Sequence, residues 1–339
     1  MIWLVVFYTS WILVAHDEIA TVIAHWPISL AMALGSYAAG STPMGGGTVG
    51  FPVLVLFFEQ PATLGRDFSF AVQSIGMVSA SIFILTRRQP LATSMLKGAI
   101  FGSLLGLPLG ILFVAPLISE LWIKVVFAVV WGSFGVLHIY RIGEISAHVG
   151  MTDFDERWDL RVGFAIGIVA STLIVSVTGV GIDMVLYAAL VLLCRADLKI
   201  AVPTSVLIMA FNSVLGVMVK TLTGGWQTGV YENWLAAAPV VALGAPLGAF
   251  IVHYIGRQST MVVVATLCIG QFVWTCYAEH EALGWLGTGI AIAVIVLCLL
   301  MFEWLRVVGI GLVDKNRQRI QLDRKHQNKQ PPHVPDELP

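Results

Sequence analysis

The chain has 339 residues, of which 58% are hydrophobic and 12% charged, with a mean hydropathy of +0.86 and a net charge of −1. Soluble domains run near a quarter charged, so a water-soluble fold would leave much of this apolar surface uncovered, whereas a bilayer solvates it. The near-neutral charge gives no argument for nucleic acid as a partner, and four cysteines in or beside apolar runs, with no CxxC pair, indicate neither a disulfide framework nor a zinc site.

The chain opens on MIWLVVFYTSWILVA, followed by His16, Asp17 and Glu18. A removable signal would need basic residues ahead of its apolar core and small residues at a cleavage site; neither is evident, and residues 2–15 read as a retained first helix. A spanning helix needs about 20 mostly apolar residues. The runs that follow are 28–58, 67–85, 97–115, 122–140, 161–193, 200–220, 234–253, 261–278 and 285–305. Two of them are too long for one untilted crossing, and glycine interrupts both. Ser41 to Pro52 reads STPMGGGTVGFP, and Ser176 to Asp183 reads SVTGVGID. Gly98, Gly102, Gly106 and Gly110 recur every four residues, the pattern of a close helix-packing face. The tail from Asp314 to Pro339 is polar and rich in Gln, Lys, Arg and Pro, and is predicted to be disordered.

The interruptions suggest an internal repeat, as many transporters carry. A shift of 134 residues sets Gly45 on Gly179, Gly47 on Gly181 and Ala62 on Ala196. A shift of 138 sets Gly106-Leu-Pro-Leu-Gly110 on Gly244-Ala-Pro-Leu-Gly248. Both halves then run in the same order: glycine break, polar turn, helix, turn, helix carrying GxPLG. If each interrupted run enters and leaves on one face, 16 basic residues fall on one side of the membrane and only Arg66, Lys124 and Lys220 on the other. A single crossing by each run splits them 12 against 7. Cytoplasmic loops are enriched in Lys and Arg, so the first arrangement is favoured. It places both termini in the cytoplasm, Arg87–Lys97 inside and Thr221–Trp234 outside, which makes the halves inverted relative to each other.

The expected fold is an all-α polytopic membrane protein, an inverted repeat of helix bundles with two glycine-interrupted, re-entrant or broken helices. Its expected divisions are 1–27, first helix and connection; 28–140, first repeat; 141–160, cytoplasmic loop; 161–278, second repeat; 279–313, last transmembrane helix; 314–339, polar tail. The expected location is the cell (inner) membrane, with the lipid bilayer as surroundings, no cofactor, and an oligomeric state left open, a homodimer included.

Backbone at membrane depth must be paired, buried in protein or facing a water-filled cavity. Three consecutive glycines, Gly45, Gly46 and Gly47, are costly inside a helix. As a break they expose backbone N–H groups near a helix N-terminus, and such groups bind anions without any side-chain charge. Ser41, Thr42 and Thr48 add hydroxyls, and the second break offers Ser176, Thr178, Gly179 and Gly181. Gln73 and Ser74 follow the first break; Thr204, Ser205, Asn212 and Ser213 follow the second. All of these are candidates for neutral donors converging on one midplane cavity, against the alternative of interhelical hydrogen bonds worth ~0.6 kcal/mol each. Asp183 is the one acid expected well inside the apolar core, where it is either a proton carrier or a helix cap. Asp67, beside Arg66 at a membrane edge, is explained by a local ion pair or a cap. His138 and His253, near helix ends, are expected at the interface. G-x-S-x-G, H-E-x-x-H and P-loop patterns are absent, and no metal site is indicated.

At the break, PMGGGTVGFPVLVL (43–56) and its weaker counterpart TGVGIDMVLYAALV (178–191) resemble the TauE/SafE family of membrane transporters. Ala201-Val202-Pro203-Thr204-Ser205 resembles the family's small-residue segment after the second break. The resemblance spans roughly residues 28 to 275. The second motif departs from the pattern, with Gly181-Ile182-Asp183 where three glycines are expected. The resemblance implies export, or sometimes uptake, of sulfite and organosulfonates such as sulfoacetate, and no enzymatic activity. The expected function is therefore transport of a small sulfur-containing anion by alternating access, with proton coupling open. The rivals are an anion channel using the same helix termini and, behind it, a membrane-embedded enzyme.

Overall fold

A computed structural model of the chain describes residues 2–327, apart from 153 and 256. Among these residues the regular structure is helical throughout, without strands. The elements in chain order are α1 Ile2–Ala15, α2 Ile19–Ala24, α3 Trp26–Ser41, α4 Gly47–Phe57, α5 Ala62–Thr86, α6 Thr93–Leu117 and α7 Glu120–Ser146. There follow α8 Glu156–Thr178, α9 Ile182–Leu192, α10 Leu198–Thr223, α11 Val230–Ile255, α12 Arg257–Ala278 and α13 His280–Gln327. Eight of these are long and apolar enough to cross a membrane. The two overlong apolar runs are each divided: α3 and α4 are separated at 42–46, and α8 and α9 at 179–181. The short α4 and α9 each cover less than the length a full crossing requires.

Local signals set several boundaries. Asp197 caps α10, its carboxylate accepting from the Lys199 N–H at 2.8 Å. Gly224 ends the same helix in the left-handed conformation. Thr204 Oγ1 accepts from the Ala92 N–H at 3.0 Å, so α10 holds the turn that starts α6. The first helix docks rather than floats: Trp3 Nε1 donates to Ser79 Oγ (2.8 Å), Tyr8 Oη to the Pro239 carbonyl (2.5 Å) and Trp11 Nε1 to the Leu235 carbonyl (2.9 Å).

Lipid tails are as apolar as leucine, so helices in a bilayer associate by close packing and interhelical hydrogen bonds. Here the glycines permit that approach in two places. A Cβ on Gly98 or Gly102 would lie 2.2 Å from a backbone oxygen of α8 (Leu160 or Phe164), and one on Gly163 of α8 would lie 2.1 Å from Met95 O. On the other side of the molecule, a Cβ on Gly40 of α3 would lie 1.8 Å from Ala245 O, and one on Gly248 of α11 would lie 2.4 Å from Tyr37 O. Each GxPLG helix thus clasps the broken helix of the opposite half: α6 holds α8, and α11 holds α3.

Charged pairs join residues that the distribution of basic residues assigns to the same side. Lys220 meets Asp67 at 2.8 Å and Lys124 meets Glu279 at 2.5 Å. At the opposite end Arg141, Arg195 and Arg306 gather around Glu144, and Arg141 and Arg306 also meet Glu303. Two expectations are corrected. The last helix continues past Asp314 to Gln327, because Lys315 to Gln327 is dominated by strong helix formers and contains neither Gly nor Pro; residues 328–339 lie outside the described set. His138 is not interfacial but fully buried, its Nδ1 on the Phe134 carbonyl (2.9 Å) and its Nε2 on the Tyr187 hydroxyl (3.1 Å). The His253 side chain lies outside the described residues.

Candidate functional site at the two helix breaks

The two breaks face each other in the interior. Gly45 adopts φ +65, a conformation that favours glycine, and a Cβ there would lie 2.5 Å from Gln73 Oε1 and 3.0 Å from Asp183 Oδ2. A Cβ on Gly47 would lie 2.5 Å from Val180 Cγ1. Gly46 faces the other way, toward Met32 and Ala39 of α3. Its role is packing, while Gly45 and Gly47 form the surface of the first break that meets the second. Residues 41–48 and 176–184 are buried throughout.

The backbone of the first break carries several donors outside the helical ladder. The N–H groups of Met44, Gly45, Gly46 and Gly47 donate to no backbone carbonyl outside the helices among the described residues, and Thr48 is the first to do so, at 3.4 Å to the Gly45 carbonyl. They stand at the start of α4, where the helix dipole adds positive potential. Thr42 Oγ1 is turned back to the Ala38 carbonyl at 2.7 Å and Ser41 Oγ to the Tyr37 carbonyl at 2.6 Å. Thr48 Oγ1 donates to the Met44 carbonyl and accepts from Trp131 Nε1 at 2.7 Å.

The second break is more closed. Gly179 has φ +81, and a Cβ there would lie 2.4 Å from the Arg66 carbonyl oxygen. Its N–H donates to the Val175 carbonyl at 2.7 Å. Thr178 Oγ1 lies 2.9 Å from the Ile174 carbonyl and 2.8 Å from the Val180 carbonyl, while the Val180 N–H points to it at 3.4 Å. Gly181 is the N-cap of α9, and Asp183 sits in its first turn with Oδ1 accepting from the Met184 N–H at 3.1 Å. The other carboxyl oxygen, Oδ2, is buried without a hydrogen-bond partner, as is Gln73 Oε1.

The remaining sequence candidates divide. Gln73 belongs to the breaks. Ser74 does not: its hydroxyl bonds the Ala71 carbonyl, and it lines a groove of about 600 Å³ with Ile75, Trp226 and Trp234. Thr204 supports the start of α6, and Ser205 Oγ bonds the Val202 carbonyl at 2.8 Å. Asn212 holds helices together, donating to Ser103 Oγ at 3.1 Å and accepting from Ser171 Oγ at 2.8 Å. Ser213 bonds its own helix at the Met209 carbonyl.

Two features escaped the sequence reading. Trp131 connects the breaks: it donates to Thr48, its ring lies 3.5 Å from where a Gly181 Cβ would be, and it continues a stack through Phe127 (3.9 Å) to Phe51 (4.1 Å). A tryptophan deep in a span needs an acceptor for its N–H, and that is the signal that could have found it. The second feature is a pair of buried cations. Arg66 and Lys220 are buried around Asp67, with Arg66 Nε 2.9 Å from Oδ1, Lys220 Nζ 2.8 Å from Oδ2 and the Gln227 N–H also on Oδ2 at 3.2 Å. The Arg66–Asp67 pair is the local ion pair that the sequence suggests. Lys220 makes it a buried triad with one positive charge in excess, and the Arg66 backbone bears directly on Gly179.

A family model described as Sulfite exporter TauE/SafE matches residues 28–274. Comparison with curated proteins and with solved structures found no match. The matched stretch begins within α3 and ends within α12, so it contains both breaks and the helices that clasp them. With eight apolar helices and this match over most of its length, the chain is a multi-pass membrane protein that belongs to the TauE/SafE sulfite exporter family, a family of transporters and not of enzymes.

Proposed function

We propose that the chain carries a small sulfur-containing oxyanion, sulfite or a short sulfonate, across the cell membrane by alternating access, with the anion held at the first break. The observation that supports this most is the run of buried, uncommitted N–H groups from Met44 to Gly47 at the start of α4. Buried donors without a well-placed acceptor are costly in an apolar interior, and a bound oxyanion removes that cost. Glycine at 45 and 47 lets a ligand approach the backbone. Thr48 and Gln73 flank the cradle. Gly179, Gly181 and Thr178 shape its opposite wall.

The reciprocal clasp supports an inverted repeat in which one half rocks against the other: each half holds the other's broken helix, so a rotation of one moves both breaks together. Burial of both breaks supports an occluded carrier over an open channel. Asp183, the acid between them, is the candidate proton carrier. Both termini lie in the cytoplasm in this reading, and the direction of net transport follows the combined gradients of the anion and the coupled proton.

The test is uptake into proteoliposomes of radiolabelled sulfite, sulfate, thiosulfate and short sulfonates. The proposal expects saturable flux and one-for-one counterflow exchange for at least one sulfur oxyanion. Flux that rises linearly with concentration and shows no counterflow rejects the carrier.

A further inference from the structure

We propose that the Asp183 carboxyl is protonated in this occluded state and donates from Oδ2 to Gln73 Oε1 across Gly45, so that the anion is admitted together with a proton. This deepens the transport reading above and rests on it.

At Gly45 two acceptor oxygens stand without a donor of their own. Gln73 Oε1 and Asp183 Oδ2 are both buried, both lack a partner, and both reach the place that a Gly45 side chain would fill. Gln73 is 2% exposed and Asp183 fully buried. Turning the Gln73 amide over would bring its NH2 to the carboxylate, but it would also set Oε1 against the Ser69 carbonyl, which now accepts from Nε2 at 3.4 Å. The donor that leaves the Ser69 bond in place is the Asp183 carboxyl itself. A neutral carboxyl has one O–H to give, Oδ1 remains an acceptor for the Met184 N–H, and both orphan oxygens are satisfied at once.

Nothing charged lies against Asp183 to hold it ionised. On α7 the titratable neighbour is His138, committed to Phe134 and to Tyr187 of α9 itself. On α5 and α10, Arg66, Asp67 and Lys220 are paired among themselves. On α8 the acid Asp159 lies in the first turn. On α13, Glu303 and Arg306 pair with each other and with Arg141 and Glu144. No ion pair with Asp183 occurs among the described residues. An isolated ionised carboxylate in such surroundings is strongly disfavoured.

The sign of the coupling follows. With Asp183 ionised, an anion in the adjacent cradle would meet a second negative charge in a dry interior, and Gln73 would have no proton to hold. With Asp183 protonated, the loaded site carries only the anion's own charge. The proton comes from water on the side to which the site is open and leaves to water on the other side after the anion. Anion and proton therefore travel in the same direction, and anion binding strengthens as pH falls, by up to about tenfold per pH unit for one linked proton.

The test combines infrared difference spectroscopy with transport on the whole protein in proteoliposomes. At neutral pH the wild type is expected to show a protonated-carboxyl C=O band that Asp183→Asn lacks and that shifts in Gln73→Leu. A carboxylate band assigned to Asp183 instead overturns the proposal, with no substrate needed. Isethionate, a sulfonate that stays singly charged across the range, is the transport probe. The wild type should accumulate it down an inward proton gradient, while Asp183→Asn should exchange it without response to the gradient. Wild-type isethionate flux indifferent to the gradient overturns the coupling. If the C=O band is present but no sulfur oxyanion is carried, the transport reading fails and the protonated link stands.

Discussion

The two breaks meet in the interior and differ in chemistry. The first, Thr42 to Gly46, carries no charge, and among the described residues the N–H groups from Met44 to Gly47 reach no backbone carbonyl outside the helices in good geometry. The second, Gly179 to Gly181, has its Gly179 N–H bonded, Thr178 folded over its turn, and a carboxyl at the head of the helix that follows. A helix N-terminus attracts negative charge. At α9 the place is filled by the protein's own Asp183 side chain; at α4, in the proposed reading, it is filled by the anion. In the proposed reading the first break binds, while the second braces and titrates.

Mutations can break that comparison or sharpen it. The largest effect is expected at Asp67, whose triad stands behind the second break. Asp67→Ala leaves Arg66 and Lys220 buried without compensation, and removing one partner of such a group costs about 3–5 kcal/mol. Its melting temperature in detergent should fall sharply, and an unchanged value would mean that the triad does not brace the break. Gly179→Ala comes next. Left-handed backbone costs an alanine roughly 1–2 kcal/mol, and here the Cβ also meets the Arg66 backbone oxygen, which cannot move aside cheaply. Loss of monodisperse protein is the expected outcome.

Gly45→Ala tests the other side of the contrast. Its φ carries a similar penalty, but the atom in its way is the end of the Gln73 side chain. Folded protein should be recovered with transport reduced at least tenfold. Equal damage to folding from both glycine variants would remove the distinction between a binding break and a bracing one. The smallest effect is expected at Thr48→Val. It removes an acceptor from Trp131 and a hydroxyl beside the cradle, worth roughly 0.5–1.5 kcal/mol for a neutral hydrogen bond. Anion affinity should weaken by no more than about tenfold, with the change in the Trp131 environment visible in fluorescence.

Much of the fold was legible because span length and glycine spacing report on depth and on close approach. The Gly98 to Gly110 stripe lies on α8 as its four-residue spacing implies, and both overlong runs divide at their glycines. The local pair Arg66–Asp67 was legible because neighbours in sequence need no tertiary information. What sequence did not give is the rotation of each helix about its axis. Ser74 follows Gln73 by one residue and points into a different groove, and Asn212 is turned to Ser103 and Ser171 rather than to a break. Lys220 read as a membrane-edge residue because its backbone is near the end of α10. Its long flexible stem instead carries the ammonium inward to Asp67.

The central claim is that the first break binds the transported anion. Its most direct test is counterflow of labelled sulfite and short sulfonates in proteoliposomes containing wild type, Gly45→Ala or Leu105→Ala, the last a change on an exposed face of α6. The account predicts saturable exchange in the wild type and in Leu105→Ala, and exchange at least tenfold slower in well-folded Gly45→Ala. Wild-type exchange rates in well-folded Gly45→Ala would contradict it and leave the glycine break a packing device.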